Sequence, residues 1–371
     1  MKTRAVLIFS GYNNRAIIAF CRYALQKRIS FFIVTKGTND PINKTDYIDN
    51  VIFNREDETL SLEDVLLYAE QVKRESKKEE VFILPSTEYL NRFLLDFKAI
   101  LNKNGVEIGL CKKQVYELVS DKQSFGELCK SFNIRTPETI DKHDDVYPIV
   151  IKPKTYFDRD KKINKPEVIN SKENLEYFFK DKREDDFYLQ EFVPGKSIYL
   201  LYYIFSNGSY AVFSQENYIQ QYNGGSMILA KSSTYHNKNI ATQFSNLFIK
   251  VGFSGLVMVE LKLHSNEFYM IEANPRLWGP SQLIIDAGMD LFECFAYDNK
   301  LIEKIEKKTY IPNTWYFWEG GMINNITNDL PHMYHNFNQI DFISNKIEFE
   351  KFEVYNRKDT SCIYELENKL K

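Results

Sequence analysis

In "YMIEANPRLWGP", Tyr269 to Pro280, an apolar strand ends by placing Glu272, Asn274 and Arg276 at every second position. Alternate residues of an extended chain share one face, so the three polar groups point the same way as the strand runs out at Pro275. Carboxylate and amide oxygens are hard donors of the kind Mg2+ or Mn2+ accepts, and a guanidinium suits a phosphate or carboxylate. A second carboxylate stands upstream in "GLVMVELKLHSNEFYMIEAN", which reads as a hairpin. If the turn "HSNE" closes as an odd loop centred on Asn266, Glu260 lies opposite Glu272 on the same face. A two-residue loop would set Glu260 against Ile271 instead. The first register makes a metal site; the plainer alternative is a solvated strand edge where Glu260 pairs with Lys262 or Lys231.

Cations precede this pair in a suggestive order. Lys152 and Lys154 end the strand "YPIVIKPK", whose apolar body needs burial, a placement suited to a phosphate. Lys122, in a helix upstream, can reach the same phosphates. "LQEFVPG" then offers Gln190, Glu191, Phe192 and Val193, an extended backbone between two lobes that can hydrogen-bond a purine edge.

The elements that must hold these groups follow from periodicity. "RAVLIFS", a turn at Gly11 to Asn14, the amphipathic "RAIIAFCRYALQKR" and "SFFIVT" form a strand-helix-strand unit. The pattern recurs through "NVIF", a helix from about Leu62, "VFILPS", a helix from about Tyr89 and "VEIGL". Residues 1–112 therefore read as an open parallel sheet with helices on its faces, a Rossmann-like lobe. Ligands of such sheets sit beyond the carboxyl ends of the strands, which assigns Gly11, Asn13, Asn14 and Arg15, with Ser86, Thr87 and Glu88, to a substrate carboxylate. Residues 113–190 read as a small α+β lobe, with "YELVSDKQSFGELCKSFN" as one helix. Residues 191–300 read as a larger, mainly antiparallel lobe containing a hairpin about Asn207-Gly208. Residues 301–371 read as strands and irregular structure packed on the large lobe.

Composition bounds the rest. Hydrophobic residues at 44% and charged residues at 27% are globular values, and no run approaches the roughly eighteen apolar residues of a membrane span. A net charge of −3 without a basic block leaves no electrostatic footprint for nucleic acid. The start "MKTRAVLIFSGYNN" has no signal or anchor pattern, and five scattered cysteines lack any Cys-x-x-Cys pair. A cytoplasmic protein without nucleic-acid or membrane partners is expected; a homodimer is compatible with the sequence but not written in it.

The order of features resembles the ATP-grasp superfamily of carboxylate–amine ligases. The likeness rests on Asp121-Lys122, Lys152-Pro153, "QEFVPG" and "GFSGLVMVELK…FYMIEANPRLWG", spans about 115–290, and is preceded by the Rossmann-like lobe such enzymes carry. Within the superfamily, the ending Asn-Pro-Arg-x-Trp-Gly is similar to a carboligase branch related to the D-aspartate ligases. The resemblance implies an ATP-grasp fold with ATP and Mg2+ (or Mn2+) as cofactors, and small-molecule carboxylate and amine substrates. It implies that Lys122 and Lys152 contact phosphates, that Gln190, Glu191 and Val193 frame the adenine, and that Glu260, Glu272 and Asn274 hold magnesium. Arg276 would steady an acyl phosphate.

Three departures stand out. The loop after Lys152, "KTYFDRDKKINKP", has no glycine where many relatives are glycine-rich. Lys196-Ser197 replaces an acidic ribose ligand, for which Glu191 is the substitute. "IQQYNGGSM" has no arginine for the acceptor, though Gly224 and Gly225 allow close backbone approach. The expected reaction is ADP-forming activation of a carboxylate and transfer to an amine. The alternatives are a nucleotide-binding sensor without turnover, or the same chemistry with a non-amine nucleophile. His332-x-x-His335 is read as a surface pair, and "WYFWEGGM" as packing.

Overall fold

β1 (Arg4–Phe9) is apolar on both faces because both faces are covered, one by α1 (Asn14–Gln26). β2 (Phe31–Lys36), β3 (Val51–Arg55), α2 (Leu62–Ser76), β4 (Glu80–Ile83), α3 (Glu88–Asp96), α4 (Lys98–Lys103) and β5 (Val106–Glu107) follow. The computed structural model describes residues 4–57, 59–141, 144 and 146–369. The five strands pair in parallel in the order β3-β2-β1-β4-β5, so the topological switch point lies between β1 and β4. Loops 10–13 and 84–87, at the carboxyl ends of those two strands, line one crevice.

The single helix expected around Lys122 is two: α5 (Lys113–Ser120) and α6 (Lys122–Ser131). Asp121 breaks it with extended backbone angles, φ −76° and ψ 122°. Its carboxylate accepts Arg92 Nη2 at 2.6 Å and the Tyr156 N–H at 3.3 Å. The helix from Tyr89 is likewise interrupted at Phe97.

β6 (Ile149–Pro153), β7 (Glu167–Ile169), α7 (Lys172–Phe178) and β8 (Phe187–Glu191) make a small antiparallel sheet ordered β7-β6-β8 with its helix. The large sheet is built from β9 (Lys196–Ile204), β10 (Tyr210–Gln220), β11 (Met227–Ser233), β12 (Gly255–His264) and β13 (Glu267–Asn274), with α8 (Asn239–Lys250) between β11 and β12. α9 (Gln282–Asp286) and α10 (Leu291–Asp298) come next. The tail differs from the expected strands: it has two short ones, β14 (Trp315–Phe317) and β15 (Met333–Tyr334), and three helices, α11 (Glu319–Thr327), α12 (Gln339–Glu350) and α13 (Ser361–Asn368). Ile340, Ile343 and Ile347 lie on the exposed face of α12. The antiparallel order is β13-β12-β9-β10-β11-β14, with β15 added to the end of β10.

Two hydrophobic cores run through both larger sheets. Val6 and Ile8 of β1 share one with Tyr199, Leu201 and Tyr203 of β9, while Ala5, Leu7 and Phe9 share the other with Ile198, Leu200 and Tyr202. The small sheet has its own core of Ile149, Ile151, Ile169, Leu175, Phe178, Phe187 and Leu189. No helix among the described residues is long and apolar enough to cross a membrane.

Candidate active site

The β12–β13 turn takes the two-residue alternative. His264 pairs with Glu267 around Ser265 (φ 49°) and Asn266 (φ 64°), both left-handed as a type I′ turn requires. Such a turn alone would put Ile271 opposite Glu260 and send Glu272 to the other face. Glu260 nevertheless pairs with Glu272, because a bulge at Ile271 inserts one residue between the Leu261–Met270 and Glu260–Glu272 pairs. The Ile271 carbonyl at this bulge accepts Lys152 Nζ at 2.7 Å. One irregularity thus sets the two carboxylates together and anchors the cation above them.

The electrostatics of the pair are uneven. Glu272 accepts Lys122 Nζ at 2.5 Å and Asn274 Nδ2 at 2.7 Å, while Asn274 Oδ1 accepts Arg276 Nη2 at 3.0 Å. Burial opposes ionisation of Glu272, but Lys122 outweighs it and the carboxyl falls to about 2. Among the described residues Glu260 accepts only the Ser197 hydroxyl, at 3.4 Å, and burial together with the Glu272 charge pushes it up to about 7. Lys152 is brought down to about 8 by burial and by Lys122. A buried carboxylate without a cation of its own beside a compensated one is a donor set with a place for a divalent ion. The residues fit one: the oxygens of Glu260, Glu272 and Asn274 are all hard donors. Among the described residues no group of three or more His, Cys, Asp or Glu could hold a metal, so the Asn274 amide and a ligand's phosphate would complete the set.

A cleft of about 1420 Å3 runs from this point to the switch point of the parallel sheet. At one end it is lined by Lys122, Lys152, Phe192, Glu260, Glu272, Asn274 and Arg276, and at the other by Asn13, Asn14, Arg15, Ser86, Thr87, Glu88, Gly224 and Gly225. Five expected residues do not line it. Lys154 donates its backbone N–H to the Asp186 carbonyl outside the cleft wall. Gln190 is buried and donates its side-chain amide to the Pro137 carbonyl at 3.1 Å. Glu191 Oε1 accepts the Glu138 N–H at 3.1 Å. Val193 is buried, and Gly11 (φ 100°) packs so closely that a Cβ would collide with Lys36.

Several residues expected to bind substrate also tie the crevice together. Asn13 Nδ2 donates to the carbonyls of Ser86 and Leu277, both at 3.0 Å. Asn14 Oδ1 accepts the Gly11 N–H at 3.2 Å, Thr87 caps α3, and Glu88 pairs with Arg92 at 2.9 Å. Arg15 and the unpartnered Ser86 hydroxyl are left to face the cleft.

The glycine-free loop 155–167 is braced by an aspartate. Asp158 accepts from the N–H groups of Asp160 and Lys162 and from Asn164 Nδ2, at 2.8–2.9 Å. Tyr156 lies 4.9 Å beneath the Arg92 guanidinium and Phe157 meets Tyr89 edge-on, which docks the loop on the first lobe. The reading of His335 as a surface residue is corrected. It is buried, and its Nδ1 lies 3.0 Å from Lys262 Nζ and its Nε2 2.9 Å from Gln220 Oε1. Burial and Lys262 hold its ring down at about 3, so it is neutral. Strand alternation puts Lys262 on the face of Glu260, whereas nothing in the local sequence marks His335 or Glu367 as cleft residues, since both depend on how the tail folds back.

A family model described as an ATP-grasp domain matches residues 119–280. The chain has an ATP-grasp fold. Its structure is similar to Rhizobium etli pyruvate carboxylase, at TM-score 0.61 and 14% identity, over 84% of this chain and 30% of that one. Biotin carboxylase from Campylobacter jejuni, in a complex with β,γ-ATP, is similar at TM-score 0.59 and 13% identity, over 84% and 74% of the two chains. An ADP complex of N5-carboxyaminoimidazole ribonucleotide synthetase is similar at TM-score 0.58 and 14% identity, over 85% and 80%. A search of curated proteins gave no match. In the ATP-grasp fold of this chain, the matched segment begins at Val119, just before the helix break at Asp121, and closes at Pro280, just beyond Arg276.

Proposed function

We propose that the chain is an ATP-dependent, ADP-forming ligase that activates a small carboxylate as an acyl phosphate and joins it to an amine. The observation that carries this reading is the pairing of Glu260 with Glu272 in a cleft where Lys152, Lys122 and Arg276 converge. The ending Asn-Pro-Arg-x-Trp-Gly, 274–279, supports a place beside the D-aspartate ligases. In this reading 1–112 receives substrate, 113–190 and 191–300 clamp the nucleotide, and 301–371 closes the substrate end.

A carboxylate is a poor electrophile at neutral pH, so its oxygen must first attack the γ-phosphate of ATP. Lys152, fixed on the Ile271 carbonyl, and Lys122, beside Glu272, would offset charge on the phosphates. Glu260, Glu272 and Asn274 would hold Mg2+, which when bound would supply further positive charge at the phosphates. Arg276 is held by the Leu277 carbonyl and Asn274 Oδ1 at the mouth of the strand, where the acyl phosphate would form. The amine then displaces phosphate, with loop 155–167 keeping water from the mixed anhydride.

The test is phosphate release from Mg·ATP by the purified protein over carboxylates and amines, singly and in pairs. Phosphate and ADP are expected only with a productive pair, and Glu272→Ala should lower the rate by roughly a hundred-fold or more. AMP and diphosphate as products would overturn the reading.

A further inference from the structure

Arg15 is a charged residue without a direct ion pair among the described residues. It is 8% exposed, and among the described residues no carboxylate lies within ion-pair distance of it. Both of its hydrogen bonds come from Nη1, to the Met227 carbonyl and the Tyr316 hydroxyl, each at 2.9 Å. Nε and Nη2 have no protein acceptor among the described residues, and the side chain lines the cleft. It also sits in the first turn of α1, whose N-terminal end opens into the same crevice and itself favours an anion. A buried guanidinium in this state calls for a bound anion.

The tail supplies the complementary charge. The Arg15 guanidinium lies 3.7 Å over the face of Trp318, and the edge of that indole donates to Glu367 through Nε1 at 3.2 and 3.4 Å. Glu367 also lines the cleft, with no cation within ion-pair distance among the described residues. Burial and the nearby Glu353 push its carboxyl up to about 7, although Trp318 and Arg15 pull the other way. One aromatic plate therefore carries a cation on its face and a carboxylate at its edge, neither of them in an ion pair among the described residues. A Cβ on Gly279 would fall 2.9 Å from Arg15 Nη2, and Gly279 lies three residues beyond Arg276, so this end of the cleft continues into the reacting end.

We infer that Arg15 and Glu367, set about Trp318, form a recognition site for a zwitterionic substrate, a free amino acid, with its carboxylate on Arg15 and its ammonium on Glu367. The inference rests on the ligase reading and names one of its substrates. The class follows from the pair of charges: a simple carboxylic acid would leave Glu367 without a partner, and a simple amine would leave Arg15 without one.

The experiment is calorimetric binding to the full chain with Mg·ADP present, over free L- and D-amino acids, each beside its carboxamide and its N-acetyl derivative. At least one free amino acid should bind, with both blocked forms at least ten-fold weaker. In Arg15→Met the gap between acid and carboxamide should collapse, and in Glu367→Gln the gap between the free and acetylated forms. Gly320→Ala keeps both charges but places a methyl against the Glu367 carboxylate, and should weaken the free form several-fold more than the acetylated one. Urea midpoints of the three variants separate loss of fold from loss of recognition. No binding by any free amino acid, or both gaps persisting in folded variants, overturns the inference. If Mg·ADP binds and a carboxylate lacking an amino group drives phosphate release, this inference fails while the ligase reading stands. If Mg·ADP does not bind, the ligase reading fails with it.

Discussion

Lys152 and Asp359 show how burial is used for opposite ends. Lys152 is 4% exposed beside Lys122, and both conditions disfavour its charge. Lys152→Met should match or exceed the wild type in urea midpoint while weakening Mg·ATP binding roughly ten- to hundred-fold, about 1.5–3 kcal/mol, by calorimetry. Asp359 is structural. It takes Arg22 at 2.8 and 3.1 Å and the Tyr47 hydroxyl at 2.6 Å, tying the tail to the first lobe. Burial would raise its carboxyl, but Arg22 and Tyr47 outweigh burial and hold it below its ordinary value. Because the folded state has the lower pKa, this contribution is complete above the unfolded value of about 3.9 and fades as pH falls through the folded one. Asp359→Asn should therefore lower the urea midpoint at pH 7, and its gap from the wild type should narrow below about pH 4.

At the scale of elements, the bulge in β13 separates two duties that the hairpin combines. Deleting Ile271 makes the Leu261–Met270 and Glu260–Glu272 pairs consecutive in a regular ladder, so the carboxylates stay opposed while Lys152 loses its carbonyl. Mn2+ binding, read by water-proton relaxation, should change by no more than about three-fold, whereas Mg·ATP binding should weaken by roughly ten-fold. The bulge also marks how far the sequence could be read. Strand periodicity alone placed Glu272, Asn274 and Arg276 on one face, and the apolar body of "YPIVI" carried Lys152 to the same cleft. Whether Glu260 met Glu272 or Ile271 depended on backbone irregularity, which side-chain type does not announce. The break falls at Val119-Ser120-Asp121, weak helix formers that a continuous helix can tolerate, and Arg92 holds the Asp121 carboxylate there. Trp318, Glu367 and His335 were not legible as site residues; Arg15 and Tyr316 meet across 301 positions, and no local pattern encodes that.

For the whole molecule, the arrangement of cores decides what moves. The parallel sheet and the large sheet share two cores, whereas β6, β7 and β8 close over a separate one. The unit of β6, β7 and β8 meets the rest through contacts that include Lys152 on the Ile271 carbonyl and Tyr156 on Arg92, whereas α5 and α6 add Tyr116, Val119 and Phe125 to a shared core. Such a unit opens at lower free energy than the shared cores. Amide exchange should be faster in β6–β8 than in β9 and β12, and Mg·ATP should slow it in the small lobe first. A separate core also bears on descent. Ile151 and Leu189 pack only with their own lobe, so changes at one can be answered by the other, whereas Leu200 or Tyr203 must suit neighbours from two sheets at once. The small lobe is thus the part of this chain that recombination could exchange whole, provided the incoming piece brought a lysine for the bulge and an aromatic ring for Arg92.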